Sequence, residues 1–329
     1  MATLASALVA SRVVLLFCLS RQVEAFSLPP LLTRRLRATR MPAPRCCRMS
    51  SRISLSDEAK RSFWSKGFLQ LGQVLNEEQV EACRARMERL FAGEFDTGIY
   101  PDEWHWRKGI SYPGAVREIC NGWKSDRVIA SIVLGETFGR AACKLMGWPS
   151  ARIAQDSVIW KPAGAGSVSW HQDSPYISRQ FTPVDDNSLT FWCALDDADE
   201  ETGVIEYAAG SHEWQPRREL EPQFHGLQDY QQPLRQAAAS AGKDLSQVEI
   251  TRLVVPAGSA VVHHQNTWHG SGENKSKQRD RRALAIHVLR GDVKFVERPG
   301  YIYGRYKMGD NDSLHDAFFP YLYRSDGEN

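Results

Sequence analysis

The feature that most constrains the fold is a change of pattern after Pro149. Seven short runs rich in β-branched and aromatic residues follow, at 153–160, 167–172, 188–194, 203–208, 250–255, 259–263 and 283–288. Short strands at this spacing predict an all-β barrel or sandwich. One insertion interrupts the series. Residues 212–249 contain a predicted helix near 233–241, where Pro233 suits the first helical position.

The residues ahead of Pro149 read mainly as helices. Ser56 is an N-cap candidate, with Asp57 and Glu58 in the first turn behind it. Residues 67–74 alternate as a strand. Asn76 with Gln79 forms a capping-box pattern, opening a helix to about Phe91 with Val80, Cys83, Met87, Leu90 and Phe91 on one side. Residues 93–115, rich in Gly, Pro, Trp and Tyr, predict a long loop, and 97–112 within it is a lid candidate. Ser125 is expected to cap a further helix to about Met146, with Val128, Ile132, Phe138, Ala142 and Leu145 as its apolar positions. The class is α+β: leading helices packed on a β-rich core in a single domain, 53–329.

Charge is unevenly placed. Through Ser56 the chain holds nine arginines, no lysine and one acid, Glu24, a balance of +8 against +2 for the whole chain; the remainder therefore carries −6. A slightly acidic body argues against a general nucleic-acid partner. Residues 1–25 resemble a signal peptide: Arg12 precedes the apolar run 13–19, too short to span a bilayer, and Val23 and Ala25 supply small residues for cleavage. Residues 26–52 hold no acid and many arginines among Ser, Pro and Ala, as transit peptides do. A two-part leader of this kind resembles those of algae with secondary red plastids, so a plastid address is expected, with the secretory pathway as the alternative. Cys18, Cys46 and Cys47 fall in the leader. Cys83, Cys120, Cys143 and Cys193 are widely spaced without a CxxC, which predicts buried thiols in a reduced body.

The chemistry concentrates in two motifs. His171 and Asp173 sit two apart in a strand-like run, so both side chains project from one face. That arrangement suits two adjacent ligands of a mid-series divalent metal. Alone, a His-x-Asp is a weak signal. Further on, His269 follows an apolar strand, and Arg281 opens another after a polar, turn-rich stretch. His269 is placed to be a third ligand from a different strand. Two imidazoles and one carboxylate leave open positions for an oxidisable co-substrate and O2, and arginine suits the far carboxylate of 2-oxoglutarate.

His171-Gln-Asp173, His269-Gly-Ser-Gly and Arg281-Arg-Ala-Leu together resemble the phytanoyl-CoA dioxygenase family of Fe(II)/2-oxoglutarate oxygenases. Leu189-Thr-Phe-Trp-Cys-Ala-Leu-Asp-Asp197 and Gly203-Val-Ile-Glu-Tyr-Ala-Ala-Gly-Ser-His212 are similar to two further stretches of that family. The resemblance covers about residues 60–290. It implies a double-stranded β-helix (jelly roll), Fe(II), 2-oxoglutarate and O2 as cofactors, His171, Asp173 and His269 as iron ligands, and Arg281 on 2-oxoglutarate. Ala209 stands where the family usually has proline. The loop after His269 is about one residue longer than usual, so Arg282, and more distantly Arg279, compete with Arg281. Asp173 favours hydroxylation over the halogenation of relatives that have a small residue there.

Among the other histidines, His263 and His264 read as hydrogen-bonded strand residues, His212 as structural, and His287 as facing either co-substrate or core. Thr190 and Trp192 alternate onto one face and are candidate cofactor contacts; Lys161 and Tyr176 are weaker ones. Trp160, Trp170 and Trp268 read as core. The expected activity is hydroxylation of an aliphatic C–H of a small, lipid-like or isoprenoid metabolite by a monomer without a transmembrane segment in its mature chain. The alternative is a jelly-roll metal-binding protein, or a cupin-like metal isomerase or hydrolase, that does not use 2-oxoglutarate.

Overall fold

In the computed structural model, which describes residues 53–214 and 229–325, Ser56 caps the first helix as expected, its hydroxyl accepting from the Ala59 amide at 3.1 Å. Both predicted leader segments, and the middle of the 212–249 insertion, lie outside the described residues. The helical half comprises α1 (Asp57–Lys66), α2 (Glu77–Phe91), α3 (Gly122–Ser125), α4 (Arg127–Val133) and α5 (Glu136–Met146). It also carries the strands β1 (Phe68–Gln73), β2 (Glu103–Trp104) and β3 (Arg117–Cys120). The β-rich half comprises β4 (Ser150–Lys161), β5 (Val168–His171), β6 (Phe181–Thr182), β7 (Ser188–Ala194) and β8 (Ile205–Ala208). After α6 (Gln232–Ser240) come β9 (Ile250–Leu253), β10 (Ser259–His264), β11 (His269–Ser271), β12 (Arg281–Arg290), β13 (Lys294–Phe295) and β14 (Tyr321–Arg324).

Two antiparallel sheets make a jelly roll. The major sheet runs β1-β10-β7-β12-β4-β3-β2, with β14 also on β4, and the minor sheet runs β5-β11-β8-β9. Strand alternation explains how one sheet serves two cores. On β7, Leu189, Phe191 and Cys193 face outward and pack with α2, α4 and α5 residues such as Met87, Ile132 and Phe138. Trp192 and Ala194 face inward, with Ile205 and Tyr207 of the minor sheet. β12 splits the same way, Leu284, Ile286 and Val288 outward and Ala283 and Ala285 inward. Each fully buried aliphatic or aromatic side chain of this kind contributes roughly 2 kcal/mol of transfer free energy.

Two expectations need correction. The helix from Ser125 to Met146 is broken. Asp126, not Ser125, caps α4 through its carboxylate on the Val128 and Ile129 amides, and Gly135 separates α4 from α5. The Gly135 amide bonds to the Ile132 carbonyl three residues back, so the i→i−4 ladder ends at Leu134, and extended backbone at Gly135 separates the two helices. The long loop is also less irregular than expected. β2 lies within it and pairs with β3, which pairs with β4. These strands are short and lack a clean alternation, so their pairing comes from the free edge of β4.

Register sets the inner face of the major sheet out as a grid. His263, Thr190, His287 and Gln155 form one row across β10, β7, β12 and β4. Trp192, Ala285, Ser157, Cys120 and Glu103 form the next. Ala283, Ile159 and Glu118 form a third, and Arg281 opposite Lys161 a fourth.

Candidate active site

β5 and β11 are antiparallel neighbours whose register sets His171 directly opposite His269. Cross-strand partners on one face meet, and the two ring centroids are 4.2 Å apart. Each ring is held by its own strand. His171 Nδ1 donates to the Ser169 carbonyl at 2.7 Å, and His269 Nδ1 to the Thr267 carbonyl at 2.9 Å. A carbonyl only accepts, so Nδ1 carries the proton and the unprotonated Nε2 is the atom each ring presents. Asp173 lies in the turn after β5, with its Oδ1 3.9 Å from His171 Nε2 and 3.6 Å from His269 Nε2. One ligand atom from each of the three lies within 4.8 Å of the others, a spacing fit for one metal ion.

The row of residues above the triad holds Asp173 in place. Its Oδ2 accepts from His263 Nε2 at 3.1 Å and from the Thr190 hydroxyl; its Oδ1 accepts from the Tyr176 hydroxyl. Tyr207 and His263 Nδ1 are 3.0 Å apart, and His287 Nδ1 lies 2.8 Å from Thr190 Oγ1. Burial, then the His269 neighbour, lowers His171 to about 3; burial, then His263, lowers His269 to about 4. Burial opposes ionisation of Asp173, but the surrounding imidazoles outweigh it and hold the carboxyl well below its usual range. Two neutral imidazoles and one carboxylate are the protonation states a divalent metal requires.

The cavity beside the triad has a volume of about 250 Å³. Arg281 lines it and is only 2% exposed. Its guanidinium donates to the Gly203 carbonyl at 2.7 Å and to Ser271 Oγ at 2.9 Å, and lies 5.3 Å from the Trp192 ring. Its Nε is buried without an acceptor. Lys161, fully buried beside it, donates to Ser271 Oγ at 2.6 Å. Burial lowers Arg281 to about 10, and burial together with Arg281 lowers Lys161 strongly. Among the described residues neither cation has a carboxylate in ion-pair contact. Two buried cations without a counter-charge are the donor set of an anion site.

Arg282, the competing candidate, points to the other face and holds Asp196 in a two-point ion pair at 2.8 and 2.9 Å. Arg279 pairs with Asp199 and Glu201 at the surface. Thr190 and Trp192 both line the cavity, Thr190 against Asp173 and Trp192 beside Arg281. His264 and His212 make the ordinary contacts expected of them, to Asp186 at 2.9 Å and to the Trp64 carbonyl at 3.0 Å. His263 does more than a routine strand residue, since it supports Asp173. Its in-phase position with Val261 was a signal for this. Gln155, Glu118, Glu103 and Tyr301 also line the cavity; no local pattern marks Glu103 and Glu118, because β2 and β3 carry none. The four described cysteines are free and buried, and among the described residues no helix is long and apolar enough to cross a membrane.

The phytanoyl-CoA dioxygenase (PhyH) family profile matches residues 63–283. Among curated proteins the chain is 25% identical to a probable alpha-ketoglutarate-dependent hypophosphite dioxygenase of Stutzerimonas stutzeri, over 72% of this chain and 79% of that protein. It is 27% identical to phytanoyl-CoA dioxygenase 1 of Oryza sativa subsp. japonica, over 72% and 89%. Among solved structures it resembles the non-heme alpha ketoglutarate dependent carbocyclase SnoK from nogalamycin biosynthesis, with a TM-score of 0.62 and 24% identity over 82% of this chain and 97% of that one.

Proposed function

Because the chain belongs to the phytanoyl-CoA dioxygenase family of Fe(II)/2-oxoglutarate-dependent oxygenases, we propose that His171, Asp173 and His269 hold its iron and Arg281 its 2-oxoglutarate. The observation that carries this is the meeting, in one cavity, of a two-imidazole, one-carboxylate triad and the buried Arg281 guanidinium, which has no carboxylate in ion-pair contact among the described residues. The residues fit the absent groups: three deprotonated ligand atoms converge, and the orphaned Arg281 Nε lacks an acceptor that a carboxylate would supply. Bound iron and 2-oxoglutarate supply the oxidising power, one O2 oxygen entering the substrate C–H bond while the keto acid becomes succinate and CO2.

The chain's own residues set the geometry. Ser169 and Thr267 carbonyls fix the ligand tautomers, and His263, Thr190 and Tyr176 keep Asp173 from rotating. Arg281, with Ser271 and Lys161 beside it, receives the distal carboxylate. The jelly-roll walls exclude water from the reacting end. The acid-free cation pair favours this reading over a metal isomerase or hydrolase that needs no keto acid. An aliphatic, lipid-like or isoprenoid body suits the wall formed by Val116, Ile159, Val168, Ile205 and Ala285. A cavity of this size admits a small molecule, or the end of a longer one. A plastid address remains our proposal from residues 1–52, tested by the destination of a fluorescent fusion of residues 1–56.

The test is anaerobic titration of 2-oxoglutarate into the Fe(II)-loaded protein, followed by its visible charge-transfer band. The wild type gains the band. Asp173→Ala, His269→Ala together lose it, and Arg281→Ala weakens 2-oxoglutarate binding while retaining iron. A band of unchanged strength and affinity in these variants would refute the assignment.

A further inference from the structure

Beyond β4, the cavity wall changes from apolar to acidic. β3 adds Glu118 and Cys120 to the inner face, and β2 adds Glu103, with His105 following on the same side. Glu103 is already satisfied: His105 Nε2 lies 2.8 Å away, and the Tyr301 hydroxyl donates to it at 2.9 Å. Glu118 is not. Its carboxylate receives only the Cys120 thiol, at 3.9 Å, and no ion pair reaches it among the described residues. His105 is paired with Glu103, so Glu118 keeps its carboxylate charge without an ion-pair partner among the described residues. Lys161 does not cancel it, since its ammonium is committed to Ser271 and Gly272.

A second polar group points to a ligand independently. Gln155 is 1% exposed and lines the cavity. Its Oε1 accepts from Tyr303 at 2.8 Å, which fixes the amide and leaves its NH2 without a hydrogen-bond partner among the described residues. An amide donor in the cavity lining with no protein acceptor is available to an acceptor group on a ligand. In the register Ser157 lies between Gln155 and the Ile159–Glu118 pair, and Ile159 and Val116 add aliphatic surface to the lining beside Glu118. Glu103, His105 and Cys120 also bring one ligand atom each within 4.8 Å of the others, but Glu103 Oε2 is already engaged by His105 and the Tyr301 hydroxyl.

We propose that the substrate of this site carries a protonated amine, that Glu118 is the residue that reads it, and that Gln155 donates to a second, acceptor group on the same aliphatic body. The proposal rests on the dioxygenase reading and narrows its substrate class to aliphatic amines. Glu118 is thus a specificity-determining residue, two strands away from the 2-oxoglutarate end.

The experiment uses the full chain loaded anaerobically with Fe(II) and 2-oxoglutarate. n-Hexylammonium, 1-hexanol and hexanoate, matched in length, are titrated while the iron absorption band is followed. Hexylammonium should perturb the band at concentrations about tenfold lower than hexanol, a difference of about 1.4 kcal/mol, and hexanoate should bind weakest. Isosteric Glu118→Gln should erase the preference for the amine over the alcohol. Equal binding of the three probes, preference for hexanoate, no response to hexylammonium at millimolar concentration, or a preference that survives Glu118→Gln would each overturn the proposal. Should Glu118→Gln fail to fold, the wild-type ranking of the three probes decides alone. Loss of the 2-oxoglutarate band itself would instead count against the dioxygenase reading, so the two failures are distinguishable.

Discussion

Asp173 shows how much of this site is set by residues outside the His171, Asp173 and His269 triad. Its two oxygens accept from His263, Thr190 and Tyr176, and Thr190 in turn lies against His287. Thr190→Val keeps the shape and removes the hydroxyl. Iron affinity should fall about 10- to 100-fold, while the thermal midpoint of the metal-free protein stays near that of wild type; unchanged iron affinity would make Thr190 a packing residue only. Asp156, on the opposite face of β4, makes a different prediction. It accepts from the Gly122 and Trp123 amides at 3.2 and 3.0 Å, and burial pushes it from 3.8 up to about 7 despite those bonds. Its folded value lies above its unfolded one, so the folded state holds the extra proton between them. Stability is therefore greatest below the unfolded value, falls as pH rises, and is lowest above about 7. Asp156→Asn should flatten the pH dependence of thermal unfolding across that window, where every tenfold difference in proton affinity between the folded and unfolded states corresponds to about 1.4 kcal/mol. A wild-type profile that is already flat would contradict this.

Individual elements differed in how readily they could be read. α2 was legible to its ends because Asn76 and Gln79 satisfy each other's backbone amides, at 2.8 and 3.0 Å, and Val80, Cys83, Met87, Leu90 and Phe91 recur at helical spacing. Asn76→Ala removes one arm of that box and should cost about 1 kcal/mol, seen as a lower midpoint in denaturant at unchanged slope. β7 matched its expected bounds, since its seven residues are buried on both faces and flanked by turns. β2 and β3 carried no such signal. Glu103 and Glu118 are poor strand formers, and the order they adopt is supplied by the edge of β4. Gly203 links an element to the site. Its φ of +81° and the approach of the Gly272 carbonyl, 2.6 Å from where a Cβ would sit, exclude a side chain. Its own carbonyl accepts from Arg281, so the turn before β8 shapes the 2-oxoglutarate end.

At the scale of the molecule, the proposed iron and 2-oxoglutarate sites draw on both sheets, the triad on β5, the turn after it and β11, and the anion site on β12 and β4. Ligands that bind only the folded state stabilise it by mass action. The two together should raise the thermal midpoint more than either alone, and Arg281→Ala should lose the 2-oxoglutarate increment while keeping that of the metal; an increment that persists would place the co-substrate elsewhere. The sequence by itself determined the α+β class, the strand series after Pro149, the two capped leading helices and the motif residues His171, Asp173 and His269, because these signals are local or belong to the family's pattern. It left Arg281 and Arg282 in competition, since a strand shows two faces and only packing against a second sheet says which is inside. The tertiary structure decided that question, turning Arg282 to Asp196 and Arg281 into the cavity. It also decided the acidic wall. Glu118 and Gln155 are 37 residues apart in sequence, and they line one cavity only because β3 adds itself to the edge of β4.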